Sequence, residues 1–567
     1  MLMMLVAFGP HPAFAQPVRT ASDRTESITV PAHMANDASP LKPRRSGVSP
    51  APHVVSLPVP EVRRASSAAA PSLPGTPYRI GFGRDVPQLE NATDALNGLN
   101  WQITPQGGLI AAISIRSPEA VGIRIGLLVR RLPGESMVRF YAQEADSAYE
   151  IPGAEITASI RRNLEAGDSG DAARIYWSPL VEGEEATLEI ELPPGIGPDS
   201  VEISILRVSH FFHPPLAAQG DRVTHKTGIG AADICEIDAT CYPAWKSASD
   251  ATARMVFVDS DGHSYLCSGT LLNDMASSGT PYFLSAYHCI AKQTVASTLQ
   301  TYWFFRSTSC NGGILDPESA TRTGGATLLY AGLATDTSFM RLTQAPPAGA
   351  IHIGWDSAAP VLRTSVAGIH HPKGDLQKIS FGTVQSFADC TMPGAGGEYT
   401  CVATTPAKAE YIEITLTNGI TEGGSSGSGL FRTIGGAPSL IGQLRGGNSS
   451  CENPDGSDSY GRFDVAYAAA LHQWLGGAGS SFLLEIAKTG NGTGTVLSSP
   501  GGIDCGTTCS AVFGSDAGIT LTAVPAPGST FSGWDGACTG AGASCSLVMN
   551  SAKYVTATFT TVQPGSA

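Results

Sequence analysis

The stretch that most constrains this chain is Gly423-Gly424-Ser425-Ser426-Gly427-Ser428-Gly429, set between two apolar runs. Tyr411-Ile412-Glu413-Ile414-Thr415-Leu416 precedes it, alternating apolar and polar residues, and Leu430-Phe431 through Ile441 follows it. Alternation at period two marks a strand with one buried face, so the region reads as strand, tight turn, strand. Glycines on both sides let the backbone turn sharply at no steric cost. A turn of that kind exposes a serine Oγ and aims neighbouring N–H groups at one point. Ser426 is therefore a candidate nucleophile, and the N–H groups of Gly424 and Ser426 are a candidate oxyanion hole. Gly/Ser clusters are also ordinary loops, so the turn needs support from elsewhere in the chain.

Two upstream segments supply it. Phe283-Leu284-Ser285-Ala286-Tyr287-His288-Cys289 is an apolar strand-like run ending in a histidine and a cysteine. Ala334-Thr335-Asp336-Thr337-Ser338-Phe339-Met340-Arg341-Leu342 places an aspartate just before a second strand-like run, which Asp259, Asp261, Asp274 and Asp316 lack. In order, local motif and spacing, His288, Asp336 and Ser426 resemble the triad of the chymotrypsin-type serine proteases. The resemblance implies that His288 takes the Ser426 proton as Oγ attacks a carbonyl, while Asp336 orients the imidazole. It also implies an all-β fold for residues 227–475, two six-stranded barrels with the site in the cleft between them. The helix expected at the end of the second barrel is Val465–Leu475, stopped by Gly476-Gly477.

A narrower resemblance rests on Ile420-Thr421-Glu422-Gly423-Gly424-Ser425-Ser426-Gly427-Ser428, Gly442-Gln443-Leu444-Arg445-Gly446-Gly447-Asn448-Ser449-Ser450-Cys451 and Ser457-Asp458-Ser459-Tyr460-Gly461-Arg462. Over about residues 232–475 these are similar to the bacterial lysyl endopeptidases. The resemblance implies disulfides Cys235–Cys451, Cys241–Cys310 and Cys267–Cys289. Cys390 and Cys401 fall outside that pattern and are expected to pair with each other. It also implies cleavage after lysine, with Asp458 as the carboxylate of the specificity slot and Arg445 and Gly446 on the strand lining the substrate. Trypsin's own pocket aspartate would stand at Ile420, so that charge is missing here. In the family a histidine occupies the place of Arg445, and a tryptophan stacks near the catalytic histidine. This chain has no Trp between Trp355 and Trp474. Arg445 is then expected to favour acidic residues beside the scissile bond. Two rival readings stay open: a protease accepting both Lys and Arg, and a surface-binding protein on a protease scaffold that has lost its activity.

Composition sets the rest. A chain of 567 residues exceeds one core and suggests roughly three or four domains. With 65 Gly, 39 Pro and only 15% charged residues, the composition favours turn-rich β domains. A net charge of −14 argues against nucleic acid as a partner. All 12 cysteines follow residue 234, an even set that reads as a disulfide framework of an extracellular protein. No ligand pattern suggests a metal or other cofactor. Residues 1–15 read as a signal peptide ending in Ala13-Phe14-Ala15. No later apolar run reaches the roughly 18 residues of a membrane span.

The remaining boundaries follow from shifts in pattern. Residues 16–75, rich in Pro, Ala and Ser, read as disordered linker or pro-segment. Residues 76–226 carry short β runs, including the strictly alternating Ala186–Leu192, and read as a sandwich-like pro-domain with a solvated acidic surface at Glu182, Glu184 and Glu185. The polar junction Arg222–Gly228 is the expected maturation site, with a cut after Lys226. After a linker at 476–480, residues 481–560 form a small β-domain that looks like a divergent InlB B-repeat, followed by a tail at 561–567. Cys505/Cys509 and Cys538/Cys545 are expected local disulfides, and Trp534 a core residue. Expected partners are protein substrates, the chain's own pro-domain and a cell surface touched through the C-terminal domain.

Overall fold

The computed structural model describes residues 23–30, 41–44, 50–60, 76–213, 229–391, 400–476, 481–506, 508–514, 517–549 and 553–562. The expected signal peptide, the junction at 222–228, the 477–480 part of the linker and the final tail residues lie outside them.

Residues 76–213 fold into two facing sheets. One runs in the order Leu41–Pro43, Ser147–Pro152, Met137–Tyr141, Glu185–Leu192, Leu109–Arg116, His53–Ser56. The other runs Ile175–Trp177, Gly122–Arg131, Glu202–Phe211, Gly81–Asp85. Their inner faces meet in one core that includes Ile113, Ile125, Phe140, Leu188 and Ile203. The helix Gly153–Glu165, which strand patterning gave no reason to expect, buries Ile156 and Ile160 along one stripe.

Two expectations need correction here. The alternating strand Glu185–Leu192 is not half-solvated. Glu189 on its polar face is buried, because Arg139 reaches Glu150, Glu189 and Glu191 at 2.8, 2.9 and 2.7 Å. Residues 16–75 are not wholly linker. Ile28–Thr29, Leu41–Pro43 and His53–Ser56 are strands that join sheet edges formed by later residues. Strand addition uses backbone groups, so a polar, proline-rich composition conceals it.

Residues 252–342 form a curled antiparallel sheet. Its strands run Ala320–Arg322, Gln300–Trp303, Thr252–Val258, Ser264–Leu272, Tyr282–Ala286, Thr337–Leu342, Ala326–Gly332. Tyr78–Arg79, from the N-terminal region, pairs with its Ser264–Leu272 strand. A second barrel follows and closes on itself. Lys378–Cys390 pairs with Ser365–His370 and, at the other end of the ring, with Tyr411–Asn418; between them lie Gly429–Ile434, Ala437–Gly447 and Ser457–Arg462. A helix from Phe463 to Leu475, with a π turn at Tyr467–Leu471, packs behind the seam. The seam core joins Leu284 and Phe339 of the first sheet to Ile369 and Phe431 of the barrel and to Trp355 of the connection between them. The helix and that connection therefore fix how the two bodies face each other.

The sandwich rests on the first sheet. Ile80, Leu180 and Phe211 share a core with Val256, Leu266 and Tyr302. Residues 481–561 form a separate pair of small sheets around Trp534, whose Nε1–H donates to Gly542 O at 2.8 Å. Among the described residues no helix is long and apolar enough to cross a membrane.

The twelve cysteines join as Cys235–Cys451, Cys241–Cys310, Cys267–Cys289, Cys390–Cys401, Cys505–Cys509 and Cys538–Cys545. Cys267–Cys289 ties the end of the His288 segment to the neighbouring strand. Replacing both with alanine is expected to lower the unfolding free energy by about 2–4 kcal/mol, read from chemical denaturation. An unchanged midpoint would contradict that role.

Candidate active site

Strand register brings His288 to Asp336. Tyr282–Ala286 pairs with Thr337–Leu342 so that Ala286 stands opposite Thr337. The residues just past one strand therefore face the residue just before the other. Tyr287 N–H donates to Asp336 O at 2.8 Å, and His288 N–H to Asp336 Oδ1 at 2.9 Å. His288 Nδ1 lies 2.6 Å from Asp336 Oδ2. A carboxylate only accepts, so this contact suits a ring proton on Nδ1. Nε2 is buried and has no hydrogen-bond partner among the described residues.

Asp336 has φ +51°, a left-handed conformation that aspartate tolerates better than most residues. The second barrel holds that turn. Gln443 Nε2 donates to Thr335 O at 2.7 Å and to Thr337 Oγ1 at 3.0 Å.

Ser426 reaches the same place from the other body. Gly424 and Gly427, at φ +98° and +80°, make the tight turn. A Cβ on Gly427 would fall 2.2 Å from Ser285 Oγ and 2.8 Å from Ala286 N, so only glycine lets the turn press against the strand that carries His288. Ser268 N–H donates to Ser426 O at 2.8 Å, and Ser268 Oγ donates to Gly424 O at 3.0 Å. His288, Asp336, Ser426 and Gly424 are thus gathered at one seam between two bodies. Such a group can supply a base, its orienting carboxylate, a hydroxyl and backbone donors to a carbonyl.

Residues that sequence reasoning missed brace the turn from behind. Ser425 Oγ accepts Glu422 N–H at 3.2 Å and lies 2.8 Å from His370 Nδ1. Burial pushes His370 down to about 3, so the ring is neutral. Glu236 is buried beside it, its nearest oxygen 3.9 Å from Nε2, and burial raises its carboxyl well above the ordinary range. Lys373 Nζ bridges Asp233 and Glu422 at 2.7 and 2.6 Å, and the Lys373 backbone N–H donates to Gly423 O at 2.6 Å. No spacing in the chain links residues 233–236, 370–373 and 422–425; the fold of the second barrel does.

Asp458 lies on Ser457–Arg462, paired with Gly447 across the ladder. It is fully buried. Thr421 Oγ1 and Ser449 Oγ donate to its Oδ2 at 2.7 and 2.9 Å. Burial raises the carboxyl to about 6, with those hydrogen bonds pulling the other way. A Cβ on Gly447 would fall 2.0 Å from Asp458 Oδ1, so glycine is what allows the strand to lie over the carboxylate. Gly446 pairs with Ser459 on the same ladder, and Ile420 is buried.

Arg445 lies on the strand Ala437–Gly447. Its side chain is 1% exposed and meets Asp336 Oδ2 at 3.2 Å. It approaches His288 Nδ1 at 3.2 Å because both groups donate to that one oxygen. It packs against the His288–Asp336 pair from the second barrel. His288 also lies close to Cys267 and Cys289, but both sulfurs are in a disulfide and offer no thiolate to a metal.

The chain is similar to known proteins over most of its length. Residues 229–461 match the family Lysyl endopeptidase, C-terminal domain, and residues 56–212 match the Lysyl endopeptidase N-terminal domain. Residues 484–563 match the Divergent InlB B-repeat domain. A lysyl endopeptidase of Pseudomonas aeruginosa is 34% identical over 429 residues, covering 72% of this chain and 84% of that protein. Solved structures that align include the active form of the Rv3671c protease of M. tuberculosis, at 12% identity and TM-score 0.28, over 45% of this chain and 93% of that one. A thermostable serine protease, AL20, from an extremophilic microorganism aligns at 12% identity and TM-score 0.26, over 39% of this chain and 95% of that one. The chain belongs to the lysyl endopeptidase family and is a serine endopeptidase.

Proposed function

We propose that this protein cuts peptide chains after lysine, with His288, Asp336 and Ser426 as its catalytic triad. The observation that carries this reading is the double capture of His288 by Asp336, through backbone N–H and ring Nδ1, at a turn pressed against the Ser426 loop. His288 Nε2 takes the proton as Ser426 Oγ attacks the scissile carbonyl, and the imidazolium that forms faces the Asp336 carboxylate. The Gly424 and Ser426 N–H groups receive the oxyanion. His288 then passes its proton to the leaving amine, and water repeats the sequence on the acyl-enzyme.

Asp458 is the proposed lysine-reading group. Its carboxylate is desolvated and already oriented by two hydroxyls. An ammonium arriving there meets a fixed charge in a dry environment, where the attraction is less screened than on the surface. We also assign residues 76–226 the role of a pro-domain in a secreted precursor. The six disulfides suit an oxidising compartment. Tyr78 of that region lies within electrostatic reach of Lys373 and Glu422, beside the nucleophile turn. The C-terminal repeat is a proposed contact to a cell surface.

The test is hydrolysis of matched peptides carrying Lys or Arg before the scissile bond, across a pH series. Asp458 must be ionised to pair with lysine. Its carboxyl titrates near 6 in the free enzyme, so KM for Lys peptides should rise as pH falls through that value and level off above it. Asp458→Asn should raise that KM on the order of a hundredfold and remove the pH dependence of KM. Equal cleavage of Arg peptides would reject the narrow lysine specificity, and an Asn variant with unchanged KM would reject Asp458 as the reader.

Arg445→Ala should leave the preference for residues around the scissile bond unchanged, because the side chain is buried against Asp336. It should lower stability by roughly 1–3 kcal/mol, since a buried acceptor loses a charged donor. A changed preference for acidic neighbours would restore the substrate-lining role.

A further inference from the structure

The connection between the two bodies of the protease carries an added strand. Ile28 and Thr29 pair antiparallel with His352 and Ile351. The contact extends past that pair in both directions. Thr25 N–H donates to Trp355 O at 3.1 Å, and Val30 N–H to Ala350 O at 2.8 Å. Side chains help: Gly354 N–H donates to Ser27 Oγ at 3.0 Å, and Asn273 Nδ2 donates to Glu26 O at 2.8 Å. Tyr467 O–H donates to Asp23 Oδ2 at 2.7 Å, while Val30 is buried in the core of the first sheet. The segment from Asp23 to Val30 thus lies along the 350–357 edge, more than 300 residues away in sequence, and is anchored at both ends.

We propose that this edge is a strand-binding site of the protease. Its ligand is the chain's own segment 23–30, and it keeps the N-terminal region attached after the junction at 222–228 is cut. The preferred ligand is an extended peptide with a carboxylate at one end, facing Tyr467, and a β-branched apolar residue at the other. The inference rests on the proposed maturation cut, but not on the triad or on lysine specificity. The N-terminal region already holds the protease at a second place, where Ile80, Leu180 and Phe211 meet Val256, Leu266 and Tyr302. Leu41–Pro43 and His53–Ser56, between the strap and the body of the sandwich, belong to the sandwich's own sheet. A fragment covering residues 23–213 is therefore a two-point ligand, and losing one point removes the gain from linkage.

Gly354 offers a selective way to break the strap. A Cβ there would fall 2.4 Å from Thr25 O, a backbone atom that cannot move aside while the strand is paired. Its backbone is not left-handed, so a side chain there meets no backbone strain of that kind. The experiment uses the full chain carrying Ser426→Ala, with a site for an unrelated sequence-specific protease placed within residues 222–228. After complete cutting, the release of the N-terminal fragment is followed by size exclusion and native mass measurement. The fragment should stay bound, and Gly354→Val should speed its release on the order of a hundredfold. Val30→Asp alters only the ligand side and should do the same, which separates loss of the strap from damage to the protease body. Immediate separation of the parent fragment, or equal release rates in all three proteins, would overturn the proposal.

Discussion

The site depends on one carboxylate. Asp336 accepts the backbone N–H and the ring N–H of His288, and it shares Oδ2 with Arg445. These contacts fix where the imidazole stands and which ring nitrogen faces the carboxylate. The aspartate itself is held in a left-handed turn by Gln443, a residue of the other barrel. Docking of the two bodies and orientation of His288, the proposed base, are therefore a single event. Neither body alone completes the arrangement, which explains why so much apolar surface, from Trp355 to the Phe463–Leu475 helix, is spent on the seam between them.

Burial of charge is the second theme. Asp458, Arg445, Asp336 and Glu236 are all removed from water, and each meets a different compensation. Asp458 has hydroxyl donors and a carboxyl raised to about 6. Arg445 and Asp336 have each other. Glu236 lies beside neutral His370 with its own carboxyl pushed upward. Desolvated groups of this kind are costly in a folded protein. In the proposed mechanism they stand near the Ser426 turn, where fixed charge and fixed donors would act most strongly on a reacting carbonyl.

The sequence made the local parts of this arrangement readable. Glycines around Ser426 announced a tight turn, and apolar runs next to His288 and Asp336 announced their strands, because period-two patterning and turn chemistry are local. Arg445 shows where such reading ends. The family resemblance suggested a place on the substrate-lining strand, and nothing in the sequence signalled the register shift between Leu444 and Gly446 that accompanies its burial against Asp336. The brace formed by Glu236, His370 and Ser425 was invisible, since three distant segments meet only after the barrel closes. Composition misled most at residues 23–30. Their pairing uses backbone hydrogen bonds, together with the side chains of Asp23, Ser27 and Val30, to an edge that the sequence of the segment does not describe. Arg139 made the same point in the sandwich, turning a polar strand face into a buried ion network.

The central claim is that Ser426 is a nucleophile activated by His288 and Asp336 across the seam. The most direct measurement is covalent labelling with a phosphonate ester bearing a lysine-like side chain, followed by mass mapping of the modified peptide. The account predicts a single label on Ser426, slowed by several orders of magnitude in His288→Ala and slowed strongly in Asp336→Asn with binding of the probe retained. A label on another serine, or labelling of Ser426 at the same rate without His288, would contradict it.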